Sequence, residues 1–302
     1  MNPNGFDTQA WFQYSTSSLS CFLPTLTSMK DVGAGTTYVP FSANITGLSP
    51  NTTYSFEACA FSAGGEPAQV SHFTTLPPPP PTPLVTSVGN AASYAQSFAP
   101  GMLMSVFGTG LSTGNPQTAA TAPLPFTSSS GTSVTINGIP APLMYISATQ
   151  INLQIPYEVF AGPAMLTVTT GGQSASINFS VQASAPGIFL NPQTGHIVPN
   201  ESASAGAPIA FYLTGAGQVT PSEETGNVPV QGTAPAPVLQ LIATIGGITV
   251  TPVYVGIPDW SVGVLQINFT VPSTLTSGTT YPVVVTIGGV ASNAGLLTVT
   301  AP

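Results

Sequence analysis

The sequence predicts an all-β chain made of three β-sandwich modules in tandem, and three observations lead there. Apolar and polar residues alternate with period two in many short runs. Ile177, Phe179 and Val181 alternate with Asn178 and Ser180, and Ile267, Phe269 and Val271 with Asn268 and Thr270. Such alternation buries one face of a strand and leaves the other polar. Second, Asn137-Gly138, Gly171-Gly172, Gly246-Gly247 and Gly288-Gly289 separate these runs, and each pair supplies the positive φ of a tight hairpin turn. Third, the chain repeats itself. APGMLMSVFGTGLS (Ala99–Ser112) is echoed by AGAPIAFYLTGAGQ (Ala205–Gln218), and VTINGIPAPLMYI (Val134–Ile146) by ATIGGITVTPVYV (Ala243–Val255). QINLQIP (Gln150–Pro156) returns as QINFTVP (Gln266–Pro272), and AMLTVTTGGQSASINFSV as YPVVVTIGGVASNAGLLTV. Matched blocks in one order mean two copies of one domain. No segment keeps a helical period for more than a turn or two, so βαβ units are not expected.

The boundaries follow from the same features. The run PPPPPTP, Pro77 to Pro83, reads as an extended polyproline spacer. It separates a first module (1–76) from repeat 1 (84–185) and repeat 2 (186–302). A proline-rich ligand for a partner's aromatic groove is the less common use of such a run.

Composition narrows function. Charged residues are 3% of the chain, net charge is −8, and Lys30 is the single basic residue. Phosphate neutralisation needs clusters of Lys and Arg, so nucleic-acid binding is excluded. Apolar runs stop well short of the ~20 residues a membrane helix requires. The 32 prolines and irregular strand spacing do not resemble a lipid-facing barrel. A surface so poor in like charge resists self-association weakly. The opening MNPNGFDTQAW has neither the basic nor the apolar region of a signal peptide, so an extracellular location rests on composition and module type.

The stretch GLSPNTTYSFEACAFSAGG (Gly47–Gly65) resembles the late strands of a fibronectin type III domain. The resemblance implies that Tyr54 is the corner tyrosine, its hydroxyl bonding back to the chain. It also implies that AWFQYSTS (Ala10–Ser17) is the third strand and SHFTTL the last. The first two strands are then absent, which leaves core and strand edges open. Either the gene start or a cut lies inside the domain, or another copy supplies the strands by β-augmentation. The two repeats resemble Ig-like, IPT/TIG-like sandwiches. More closely, SVFGTGLS, VTINGIPAPLMYIS, QINLQIPYEV, QINFTVP and VVVTIGGVASN resemble the C-terminal domain of acidobacterial secreted proteins. That likeness implies a secreted or surface location and no established activity.

Candidate sites are few. Cys21 and Cys59 lie in one module on elements expected to neighbour each other, which points to a disulfide. Its loop would stabilise by roughly 3–4 kcal/mol in the chain-entropy model. Two free thiols, or a bond to another subunit, are the alternatives. His72 and His196 come without metal-ligand spacing, and although sequence order leaves a Ser-His-Asp arrangement open, the nearest serine motifs lack a nucleophile elbow. Glu223-Glu224 and Asp259-Trp260 lack the oxygen spacing of a calcium loop. No catalytic residue, metal or cofactor is therefore expected. Tyr254 and Trp260 could form a sugar-stacking platform, against core packing or an intermodule contact as the ordinary use. Asn44, Asn51, Asn178, Asn200 and Asn268 each begin an Asn-x-Ser/Thr triplet, the acceptor pattern for glycosylation.

Two functions follow. The first is a self-assembling, homopolymeric surface fibre in which strand complementation completes the first module. The alternative is an adhesive or carbohydrate-binding appendage of a larger secreted protein. A hydrolase is disfavoured, since residues that move protons are nearly absent.

Overall fold

A computed structural model of the protein describes residues 1–17, 19, 26–61, 69–79 and 82–301. The described residues are all-β, and the chain divides into two compact units, Met1–Pro79 and Pro80–Pro302.

In the first unit, the strands Lys30–Gly33, Thr8–Ser15, Thr53–Phe61 and Ser71–Thr74 form one antiparallel sheet in that order. Period two sorts its side chains. Trp11 and Cys59 pair across one face and are buried, while Phe12, Phe56 and Phe73 share the opposite face and are half-buried. The Tyr54 hydroxyl accepts a hydrogen bond from the Ser49 amide (3.1 Å), the bond-back that a corner tyrosine makes. Residues 38–46 run beside the aromatic face without joining a ladder, and Phe41 stacks on Phe12 at 4.5 Å. Cys21 lies outside the described residues.

The second unit holds two sandwiches in succession. In the first, the sheet Leu84–Asn90, Leu103–Thr109, Gln150–Gln154, Leu143–Ile146, Gln117–Thr118 packs on the sheet Gln173–Val181, Gly162–Thr170, Ser133–Ile136, Ile139–Pro140. Their core includes Phe98, Met102, Met104, Ile151, Leu153 and Leu166. In the second, the sheet Gly187–Ile188, Pro208–Thr214, Leu265–Thr270, Tyr254–Gly256 faces a larger sheet built around Thr279–Ile287 and Gly295–Thr300. Phe211 and Phe269 meet edge to face at its centre, 5.6 Å apart. All four expected turns are present, with φ of 51° and 80° at Asn137-Gly138 and 57° and 80° at Gly246-Gly247, for instance. Two residues at positive φ match the twist of the flanking strands, which is why the hairpins close there.

The two sandwiches are joined by buried polar contacts. The Leu103 amide donates to Thr214 Oγ1 (2.8 Å), and that hydroxyl donates to the Gly263 carbonyl (2.7 Å). Gln154 Nε2 donates to the Gly101 carbonyl (3.1 Å) while its Oε1 accepts from the Gly226 amide (2.7 Å). Tyr157, from the chain of the first sandwich, belongs to the core of the second.

Candidate functional site

The second sandwich of the larger unit presents an outward sheet face with a distinctive composition. Along Pro208–Thr214 the residues Ile209, Phe211 and Leu213 point into the core, so Tyr212 and Ala210 point out. Along Leu265–Thr270 the same alternation turns Gln266 and Asn268 outward. Register aligns these residues into rows: Tyr212 lies opposite Gln266, and Asn268 lies between Ala210 and Tyr254. Gln266 Nε2 donates to Asn268 Oδ1 (2.8 Å), which orients both amides.

Trp260 reaches this face from a turn. The Ser261 amide donates to the Pro258 carbonyl (3.0 Å), so Pro258-Asp259-Trp260-Ser261 forms a tight turn that thrusts its two central residues outward. Buried Ile257 and Val262 anchor both ends. The indole stands edge-on to Tyr212 at 5.8 Å and remains 61% exposed. Trp260 is therefore not a core residue. Tyr254 sits on the same sheet face, across the Leu265–Thr270 strand from Tyr212. Partial burial, and then the charge of Asp259, push its hydroxyl above the usual phenol range, so it stays a neutral donor and acceptor.

The two residues singled out in the sequence thus share a face, and the structure adds Tyr212, Gln266 and Asn268 between them. The signal for the amides was present in the QIN tripeptide that both repeats carry. Tyr212 gave no signal, because its Trp260 partner comes from a distant turn.

The other candidates have surroundings of their own. His72 pairs with Ser55 Oγ (2.9 Å) in the smaller unit, and His196 Nε2 with Thr298 Oγ1 (2.9 Å) in the larger one. Glu223 has its carboxyl raised by burial and then by Glu224. Among the described residues, no three His, Cys, Asp or Glu side chains gather as metal ligands would. No helix among them is long and apolar enough to cross a membrane. Asn44, Asn51 and Asn178 are exposed, whereas Asn200 and Asn268 are half-buried. Asn200 Oδ1 accepts from the Ala210 amide (2.8 Å), a bond that a sugar on Asn200 would have to accommodate. Cys59 is buried, and its pairing with Cys21 stays a proposal because Cys21 lies outside the described residues.

An IPT/TIG domain family model matches residues 93–183, within the first sandwich of the larger unit. No curated protein matches the chain. Among solved structures, it is similar to a Bacteroides ovatus SGBP-B of a mixed-linkage glucan utilization locus, in complex with a mixed-linkage heptasaccharide. Identity is 11% and TM-score 0.33, over 97% of this chain and 60% of that one. A second likeness is to SGBP-B from a complex xyloglucan utilization locus of Bacteroides uniformis, at 17% identity and TM-score 0.23, over 71% and 49%. A third is to the I9–I11 tandem of titin, at 9% identity and TM-score 0.25, over 98% and 94%. The chain thus spans about three-fifths of the length of the first of these.

Proposed function

We propose that the protein is a non-catalytic extracellular glycan-binding protein, organised as a first module (1–76), a spacer (77–83) and two repeats (84–185 and 186–302). The observation that carries this reading is the outward face where Trp260 stands on Tyr212 beside the coupled amides of Gln266 and Asn268. A sugar ring presents apolar C–H patches and a rim of hydroxyls. Amphipathic aromatic rings suit the first, and oriented amides, each offering donors and an acceptor, suit the second. Asp259 is the carboxylate beside Trp260, and among the described residues no three His, Cys, Asp or Glu side chains gather as metal ligands would.

The test is retention of the full chain in gels containing soluble neutral polysaccharides: a β-glucan, a galactomannan and an α-glucan. The wild type is expected to be retarded by at least one, and Trp260→Ala to weaken that binding by about tenfold or more, the scale of a lost aromatic anchor. Trp260→Phe should retain part of it. Wild type that passes all three gels unretarded, or Trp260→Ala that binds unchanged, overturns the reading.

A second reading, self-assembly by strand exchange, is favoured by one feature of the smaller unit. Phe12, Phe56 and Phe73 line an apolar groove of about 240 Å³ beside residues 41–45, which form no ladder. An apolar face next to a segment that joins no strand among the described residues suits an added strand. Electron microscopy of concentrated protein should then show polymers that Phe56→Asp abolishes. Particles that stay monomeric at high concentration would remove this reading.

A further inference from the structure

We propose that the first sandwich of the larger unit carries a second glycan-binding face, and that the two faces act together on one neutral glycan chain. This rests on the glycan-binding reading above and extends it to a site that the sequence did not single out.

Outward positions in the two sandwiches hold matching register places, although a bulge interrupts the Leu143–Ile146 pairing of the first. Phe107 lies opposite Gln150, and Asn152 lies between Ser105 and Tyr145. Tyr212, Gln266, Asn268 and Tyr254 hold the same places in the other copy. Gln150 Nε2 donates to Asn152 Oδ1 at 2.8 Å, the same length as the Gln266–Asn268 bond. Duplication of an ancestral domain accounts for that much. It does not account for the aromatic ring that stands over each face.

In the first sandwich that ring is Tyr94, 65% exposed and 6.2 Å from Phe107. It arrives from the loop that follows Leu84–Asn90, whereas Trp260 arrives from the turn that precedes Leu265–Thr270. Two unrelated segments thus deliver an exposed aromatic to the ring at the same register place, Phe107 in one copy and Tyr212 in the other. Tyr94 also holds φ at +58°, a conformation that costs a non-glycine residue energy. The Tyr94 amide donates to the Asn90 carbonyl (2.8 Å), and Asn90 Oδ1 accepts from the Ala92 and Ser93 amides, which fixes the loop. A strained, braced and exposed ring against Phe107, whose cross-strand neighbour is Gln150 of the amide pair, is a recognition feature in its own right.

The two faces adjoin. Leu103 alternates with core residues Met104 and Val106, so it lies on the same outward face as Phe107. It packs against Gly263, where an added Cβ would come within 3.1 Å of its side chain, and Gly263 lies two residues after the turn that carries Trp260. From Leu103 to Phe107 the strand covers about 13 Å, and from Thr214 back to Tyr212 about 7 Å. The Leu103–Thr214–Gly263 hydrogen bonds lock the junction, so the spacing between the faces is fixed before a ligand arrives. Preorganised paired sites convert a second contact into an intramolecular one and multiply affinity without new chemistry.

Charge limits the ligand. Neither face holds a basic side chain, since Lys30 is the only one in the protein and lies on the strand Lys30–Gly33. Asp259 beside Trp260 would repel an anion. Uronate or sulfated glycans find no counter-charge, so the partner is an uncharged oligosaccharide long enough to cover both faces.

The experiment uses the full chain with the neutral polysaccharide that retards it, a short oligosaccharide cut from that polymer, and polygalacturonate as the charged control. Calorimetry of wild type should show two short oligosaccharides per chain. Tyr94→Ala and Trp260→Ala should each leave one, and the double variant none. Each single variant should also weaken polymer binding by about tenfold or more, through lost bivalency. Polygalacturonate should bind none of them. Wild type with one oligosaccharide per chain, and Tyr94→Ala identical to it, would overturn the second face while leaving the first intact. Binding of polygalacturonate as strongly as the neutral polymer would overturn the assignment of ligand class. Wild type that binds no neutral polymer would defeat the glycan reading itself.

Discussion

Tyr157→Ala is expected to destabilise the larger unit by about 3–5 kcal/mol, the cost of truncating a large aromatic in a packed core. Its ring is 8% exposed and belongs to the core of the second sandwich, although its backbone leaves the first. It rests on Gly101, whose φ of +72° and missing Cβ make the space; a methyl there would come 2.0 Å from the ring. The backbone is held as well: the Tyr157 amide donates to Thr225 Oγ1 (3.0 Å), and its carbonyl accepts from Gln218 Nε2 (2.7 Å). Burial, then Glu223, drive the phenol well above its ordinary range, so the hydroxyl is un-ionised at any physiological pH. Denaturant unfolding followed by tryptophan fluorescence measures the loss. A midpoint unchanged in Tyr157→Ala would mean that the ring does not couple the sandwiches. Tyr157→Phe should keep most of the stability, because shape carries the larger share.

The second large effect is expected from Gln154→Leu, at about 2–4 kcal/mol. The side chain is 1% exposed and satisfies two buried backbone groups at once, the Gly101 carbonyl and the Gly226 amide. Leucine matches its size and removes both partners, and each orphaned buried group costs about 1–3 kcal/mol. This substitution makes the residue more apolar and should still destabilise, which separates hydrogen-bond satisfaction from burial. Urea unfolding of the variant with a midpoint at or above wild type would contradict it.

How far the molecule could be read from its sequence differs by region. The hairpins were legible because Asn-Gly and Gly-Gly pairs have few other uses between alternating strands, and Asn137-Gly138 and Gly246-Gly247 adopt the expected left-handed pair. Tyr54 was legible through its Leu-x-Pro lead, and its hydroxyl bonds back as the resemblance implied. Tyr281 makes the same bond, to the Thr276 amide at 3.0 Å, without that lead, and so went unread. The site was half legible. Alternation shows that Tyr212 points outward, but nothing local shows that Trp260, 48 residues on, comes to stand beside it. Tyr94 and Phe107 were hidden for the same reason. Tyr157 was hidden more deeply: PYEV reads as the end of one module, and only the fold shows its ring buried in the next.

The outward face offers mainly uncharged groups, the rings of Tyr212 and Trp260 and the amides of Gln266 and Asn268, with the Asp259 carboxylate beside them in the turn. Screening acts only on charges. Contacts that an uncharged ligand made with those rings and amides would therefore keep most of their strength from dilute to briny media.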